Sequence, residues 1–406
     1  MASVKIFPSV LNGSIRVPFS KSAAHRAVIC SALAGGEVLF DGEPLSDDIT
    51  ATCRAMKAIR NGGESIRIDC GESGSTLRFL IPIAAALGVK TEFSGRGRLP
   101  QRPIGVYLDC LPRHGVSCIT AGGLPLTISG RLTPGKFMLP GNVSSQFITG
   151  LLLALPLLDS DSELTLSSPL ESAGYVDMTI EIMREFGVVA KAAENGWQIP
   201  GHQSYRPKDY RVERDWSQAA FFLAAGALGG TVRLEGLNRN SCQGDRAAER
   251  FLGEFGATTE WNDSVLTVSP NELKGIEIDA SQIPDLVPVL AATAALCRGR
   301  TRIFNAQRLR IKESDRLAAM VDGLTRLGGK VTQTDDGLLI DGVDRLHGGE
   351  VDGCNDHRIV MAFAIAALKS DGCVTISDAQ SIHKSYPAFF EDYNQLGGKA
   401  NVVSMG

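Results

Sequence analysis

The chain offers no metal-binding or disulfide framework. Its nine cysteines are an odd number, lie scattered, and never fall as a Cys-x-x-Cys pair. That argues against a zinc site and against a cross-linked secreted domain, and for a reducing cytoplasm. Cys30, Cys53 and Cys297 sit in helical runs, where a buried thiol is simply a small apolar group. Long apolar segments are also missing. The longest, Phe147 to Leu158, is too short to span a bilayer. The N-terminal stretch MASVKIFPSV lacks the apolar core and small-residue cleavage site of a secretory signal. No charge of one sign dominates: 41 Lys and Arg stand against 45 Asp and Glu, a net charge of -4. A nucleic-acid-binding or membrane-binding surface is therefore not implied for the chain as a whole. The expectation is a cytoplasmic protein with neither kind of partner.

What is present is repetition. An Ala-rich apolar helical run, a turn and an alternating strand recur six times, from Ala27, Phe79, Phe147, Phe221, Val289 and Met361. The starts lie about 50 to 75 residues apart, too long for a thin solenoid. A second ladder interleaves with the first: charged amphipathic runs such as IEIMREFGVV and AERFLGEFGA end near glycine and pass into strands. Apolar positions in these runs recur at three and four residues, the helical period. The strands that follow break at Asn-Asp, Asp-Asp-Gly or Gly-Gly turns. Each unit then holds one helix apolar all round, hence buried, and one with a charged face, hence half-exposed. The fold expected is α/β, built of six βαβαββ-like units whose apolar helices gather inside a shell of sheets. A length of 406 residues suits two groups of three. The pattern runs from end to end, so a fused partner or transit peptide is not expected.

The balanced charge hides local excess. Lys and Arg gather beside small hydroxyl and Gly residues at PFSKSAAHRA, CGESGSTLRFL, GRGRLPQRPIG and GNVSSQFITG, then at LRIKESDRLAAM, NDHRIVMAF and SIHKSYP. Four clusters immediately precede an apolar helix: Lys21-Ser22, Ser73 to Thr76, Ser144-Ser145 and Asp356-His357. A helix N-terminus presents unpaired N–H groups and partial positive charge, so it receives anions. One Ser there is usually only a cap. Several, each with a Lys or Arg within about a turn, suit a small ligand set bearing several negative charges. Two carboxylates stand among these cations. Asp285 precedes a wholly apolar helix, where capping is the plain alternative. Glu313 sits beside Lys312, where an i,i+3 pair with Arg316 is the plain alternative.

In order along the chain, these motifs resemble the 5-enolpyruvylshikimate-3-phosphate synthase family. The resemblance rests on Ser20-Lys21-Ser22 with Arg26, Ser73 to Arg78, Arg102-Pro103-Ile104, Ser144 to Phe147, and Ser172 to Tyr175. It continues through Ile283-Pro284-Asp285, Ile311 to Arg316, Asn355 to Arg358, and Lys384 with Pro387. It implies a two-domain inside-out α/β barrel, three repeats per domain. Residues 1–19 plus 213–406 form one domain and 20–212 the other, with the active site in the cleft between them. It implies transfer of the enolpyruvyl group of phosphoenolpyruvate to the 5-hydroxyl of shikimate 3-phosphate through a tetrahedral intermediate. No cofactor and no metal take part, and the protein works as a monomer.

The resemblance also implies roles. Ser144, Ser145, Ser172 and Lys312 hold the shikimate phosphate; Ser22, Arg26, Gln146 and Asp285 hold the ring and its carboxylate; Lys21 reaches this substrate too. Lys21, Gly74, Arg102, Gln146, Arg316, Arg358 and Lys384 bind phosphoenolpyruvate. Asp285 is the base on the 5-hydroxyl, and Glu313, with Lys21 contributing, handles the proton at the methylene carbon. Gly74, without a side chain, lets a ligand approach the backbone closely. Glyphosate is expected to inhibit, and Gly74→Ala to weaken the inhibitor more than phosphoenolpyruvate. Glu72, Arg308 and Ala173-Gly174 depart from the commonest family pattern.

Two other readings stand beside this one. UDP-N-acetylglucosamine enolpyruvyl transferases share the fold, but typically carry Lys-Asn where this chain has Lys21-Ser22. They also carry a loop Cys or Asp near the stretch Leu99 to Gln101, which has neither here. A repeat-built phospholigand binder would need the cations but not carboxylates among them.

Overall fold

The computed structural model describes residues 2–38, 40 and 42–404. The chain forms two compact units, one made of the residues up to Ser20 together with those from Glu213 onward, the other of Lys21–Val212.

In the unit Lys21–Val212 the apolar ladder forms the helices Lys21–Leu33, Gly74–Ala86 and Ser145–Ala154. The amphipathic ladder forms Asp47–Asn61, the short Gly105–Cys110, and Ala173–Glu185. Burial follows the side-chain pattern. Every residue of Gly74–Ala86 is buried except Ser75, and every residue of Ser145–Ala154 except Gln146. Among the described residues this unit also holds two four-stranded sheets. One runs Ile66–Asp69, Thr91–Ser94, Leu126–Gly130, Val116–Ile119. The other runs Lys136–Leu139, Ser162–Leu166, Gly196–Ile199, Lys191–Ala193. In both, the first two strands are parallel and the remaining pairs antiparallel. Parallel neighbours require a crossover, and the apolar helix supplies it.

The other unit repeats this order in three sheets, around the helices Trp216–Gly229, Val287–Ala294 and His357–Ala366. All residues of the last two are buried. The helices Ala247–Phe255, Arg316–Arg326 and Phe389–Gln395 carry the charged faces. In the third sheet the N-terminal strand Ala2–Phe7 lies between Val374–Ile376 and Lys399–Ser404, antiparallel to both.

The expected strand after the helix Lys21–Leu33 falls in the segment Glu37 to Asp41. Leu39 and Asp41 lie outside the described residues, and Val38 and Phe40 are not in a strand. Among the described residues no helix is long and apolar enough to cross a membrane.

Among the described residues six helices start on a side-chain cap that predetermines where their free N–H groups point: Ser46, accepting from Ile49 N, caps Asp47–Asn61, and five more follow. Ser73, Ser144, Asp215, Asp315 and Asp356 accept from the backbone N–H of Thr76, Gln146, Gln218, Ala318 and Arg358. The motifs at Ser73, Ser144, Asp315 and Asp356 therefore sit at helix N-termini, where dipole and unpaired donors favour anions, whereas Arg102, Lys312 and Lys384 lie at the ends of short 3-10 helices.

Candidate active site

In the unit Lys21–Val212 a polar network stitches helix starts together. Lys21 Nζ lies 3.0 Å from Asp48 Oδ2. The Thr52 hydroxyl is 2.7 Å from both His25 Nδ1 and Thr76 Oγ1, and Thr76 donates to Ser73 Oγ at 2.7 Å. The next helix joins through Gln146, whose Nε2 donates to Ser75 Oγ at 3.0 Å while its Oε1 accepts from Arg78 Nη1 at 2.8 Å. The last joins through Arg26. Its guanidinium donates to Thr179 (2.7 Å), Thr149 (3.2 Å), Tyr175 O (2.9 Å) and Ser22 O (2.6 Å), and lies over the Phe79 ring. Arg26 is thus buried and tied to protein acceptors, binding four segments into one platform. Burial and neighbouring Lys21 and Arg26 hold the His25 imidazole well below its usual pKa, so it is neutral here.

The structure brings Lys21, Gly74, Gln146 and Arg102 to this platform. Gly74 opens its helix, and a Cβ built on it would lie 2.8 Å from Nη1 of Arg102 and 2.8 Å from Nη1 of Arg78. A bare backbone is what lets two guanidinium groups approach the helix start. Glu72, at the departing position, packs its carboxylate against Gly97, whose φ of 60° and missing side chain make the room. Ser144 caps its helix, accepting from Gln146 N at 3.3 Å, with Ser145 buried beside it. Ser172, also buried, begins the helix Ala173–Glu185 at φ 58°, a left-handed conformation a Ser adopts at a cost of about 1–3 kcal/mol.

The other unit gathers on Asp285 the starts of the helices Arg316–Arg326 and His357–Ala366 and the end of the short helix Gln307–Ile311. Its Oδ1 lies 3.0 Å from Arg316 Nη1 and 3.5 Å from Lys312 Nζ, and its Oδ2 lies 2.9 Å from Arg358 Nη2. Arg358 Nη1 also donates to the Asp285 carbonyl at 3.0 Å. Arg316, 1 % exposed, donates in addition to Glu313 Oε2 and to Asp356 Oδ2, both at 2.9 Å. Asp356 is fully buried and also accepts from Ser314 at 2.9 Å. Lys384 Nζ donates to Asn355 O at 2.5 Å. Asp285 is held among cations, and Glu313 does pair with Arg316, but inside the cluster rather than on the surface. Arg308, the second departing residue, donates to Ser281 O at 2.6 Å.

Electrostatics follow from this packing. Burial alone would raise the Asp285 pKa; Arg358, Lys312 and Arg316 together outweigh it and hold the carboxyl well below its usual range. Burial, helped by Arg316 and Arg308 and opposed by Asp285 and Glu313, brings the Lys312 ammonium down to about 8. Arg316 is raised: Asp356, Glu313 and Asp285 more than offset its desolvation. The result is a carboxylate ionised at neutral pH beside a lysine whose pKa is brought down to about 8.

Sequence reasoning missed several members of both clusters. Asp356 was legible only as a helix start, not as the buried acceptor of Arg316 and Ser314. Asp48 and Thr52 lay outside every flagged motif, and Thr76 stood inside one without a role. Arg78 stood inside a flagged motif without a role, yet it fixes Gln146.

The chain matches the EPSP synthase family (3-phosphoshikimate 1-carboxyvinyltransferase) over residues 7–393. It is 43% identical to the 3-phosphoshikimate 1-carboxyvinyltransferase of Clostridium novyi and 44% identical to that of Clostridium acetobutylicum, covering 100% of each chain in both cases. Among solved structures, an EPSP synthase from Acinetobacter baumannii aligns with a TM-score of 0.81 at 26% identity, covering 100% of both chains. The enolpyruvyl transferase NikO from Streptomyces tendae shares the fold, with a TM-score of 0.79 at 19% identity and 100% of both chains covered.

Proposed function

We infer that this chain, which belongs to the EPSP synthase family, is a transferase that joins the enolpyruvyl group of phosphoenolpyruvate to the 5-hydroxyl of shikimate 3-phosphate and releases phosphate. This places it in aromatic amino acid biosynthesis. The observation that carries the reading is Asp285, an anionic carboxylate held by Arg316, Arg358 and Lys312 in a chain alike along its whole length. A pure anion binder has no use for a carboxylate in that position.

The finer reading is that each unit is an inside-out α/β assembly of three βαβαββ-like repeats, and that the cations of both units bind the same two substrates. The 5-hydroxyl adds to C2 of phosphoenolpyruvate as Asp285 takes its proton and C3 gains one, turning methylene into methyl. Glu313, with Lys21 contributing, handles that proton. The reverse transfer at C3 then expels phosphate from C2. Ser144, Ser145, Ser172 and Lys312 hold the shikimate phosphate, and Ser22, Arg26 and Gln146 the ring. Lys21, Gly74, Arg102, Arg316, Arg358 and Lys384 hold phosphoenolpyruvate. Incoming anions draw on the same cations that depress Asp285, so its basicity rises when the site fills. The protein acts in the cytoplasm as a monomer.

The test is phosphate release from phosphoenolpyruvate with either shikimate 3-phosphate or UDP-N-acetylglucosamine as acceptor. Release with shikimate 3-phosphate alone is expected; release with the nucleotide sugar alone, or none from protein that still binds shikimate 3-phosphate, overturns the reading.

Two consequences can be measured directly. Lys312 binds phosphate as a cation, and its pKa of about 8 means the charge is lost as pH rises through that value. The kcat/KM for shikimate 3-phosphate is expected to fall about tenfold per pH unit above it. Lys312→Arg should remove this alkaline limb; a parent profile flat to high pH refutes the assignment.

Gly74→Ala puts a methyl against the ends of two arginine side chains. Both ends can retreat, so the fold survives while the cations shift. The KM for phosphoenolpyruvate is expected to rise about tenfold, one charge-assisted hydrogen bond's worth. Glyphosate, longer along the same backbone, should weaken by about a further tenfold. Equal inhibition of variant and parent counts against it.

A further inference from the structure

The helix Trp216–Gly229 contributes no residue to the substrate contacts assigned above, yet its first turn reaches the Asp285 cluster. Asp215 caps the helix, accepting from Gln218 N at 3.0 Å. The same oxygen accepts the Ser217 hydroxyl proton at 2.6 Å. With its only proton committed there, the Ser217 oxygen can act only as an acceptor toward any other group. It accepts from Arg358 Nη2 at 3.0 Å, the nitrogen that also lies 2.9 Å from Asp285 Oδ2. Ser217 is 5 % exposed and Asp215 3 %, so water competes weakly at either contact.

We propose that Ser217, polarised by Asp215, is a positioning residue for enolpyruvyl transfer: it fixes the rotation of the Arg358 guanidinium so that one edge faces Asp285. The physical need is specific. Asp285 holds Arg358 at two points, Nη2 on its carboxylate and Nη1 on its carbonyl, but that carboxylate is shared with Arg316 and Lys312. A buried hydroxyl with its donor spoken for adds a contact to Arg358 Nη2 from a different helix, one that Arg316 and Lys312 do not share.

This rests on the enolpyruvyl-transfer reading, and a double-mutant cycle separates the two. Ser217→Ala is expected to lower kcat/KM for phosphoenolpyruvate about 10- to 100-fold, the range for losing a buried hydrogen bond to a charged group, with the KM for shikimate 3-phosphate unchanged. In an Arg358→Lys background the same substitution should cost less than about twofold, because the partner it orients is gone. Ser217→Thr, which keeps the hydroxyl, should recover most of the loss. A merely structural serine would instead lower the active fraction, reducing kcat equally in both backgrounds and leaving every KM at the parent value; that result overturns the proposal. Should Ser217→Ala fail to fold, Ser217→Cys, similar in volume but a weak acceptor, takes its place in the cycle. A parent that makes no product refutes the transfer reading; an active parent with additive losses refutes only the role of Ser217.

Discussion

Asp285→Asn is expected to reduce kcat by about 10²- to 10⁴-fold, the range for removing a general base, while both substrates still bind. Asn keeps the volume, but its single amide oxygen can accept from only one of Arg316 and Arg358, which contact different oxygens of Asp285, so the cluster loses a charge, a base and one ion-pair contact while the space stays filled. The pH behaviour follows from the sign of the shift. The parent carboxyl is held well below its usual range, so it is ionised throughout neutrality and contributes no acidic limb there. Single-turnover quench kinetics are the measurement. Near-normal turnover in Asp285→Asn would sink the base assignment and leave Asp285 an anchor for three cations. Asp285→Ala is the harsher variant. It leaves Arg316, Arg358 and Lys312 without a shared partner, so its loss mixes chemistry with stability.

The elements of both ladders were legible because each is carried by a local period. The run IEIMRE lies in Ala173–Glu185 and FFLAAGALG in Trp216–Gly229, since burial all round or on one stripe is written in consecutive residues. Helix starts at Ser73, Ser144 and Asp356 were legible for the same reason: a cap acts over three residues. Partner choice was not. Arg316 meets Asp356 across 40 positions, Arg358 meets Ser217 across 141, and Arg26 meets Thr179 across 153. Nothing local distinguishes Asp356 from any other capping aspartate, though it is the buried hub of its cluster. Arg26 and Arg316 show the same limit from the other side. The sequence marks them as cations near a helix start, and only the packed structure shows how many protein acceptors each already serves. Gly74 was legible as a place of close approach, but not that Arg78 and Arg102 are what approach it.

Arg316→Ala should be the most damaging single substitution for the stability of its unit. The guanidinium is 1 % exposed and is shared by Asp285, Glu313 and Asp356, so removal leaves three carboxylates with one cation fewer and a void in the core. Breaking a buried pair by deleting one partner costs about 3–5 kcal/mol, because the remaining charge is buried without compensation. Arg316→Lys should recover little of this, since one ammonium cannot span three acceptors held by a planar fork. Linkage gives the test its sign. In the parent, the depressed pKa of Asp285 contributes stability that is present above its unfolded value and lost as pH falls through the folded one. Without Arg316 that carboxyl protonates at higher pH, so acid relieves the variant of a charge while still leaving the parent its ion pair. The deficit, read from urea unfolding, should therefore be largest near neutrality and shrink as pH enters the range where the variant's Asp285 protonates but the parent's does not. A deficit independent of pH would mean that the void, not the charge, sets the cost, and Arg316→Met, which refills the volume, would then restore stability without restoring turnover.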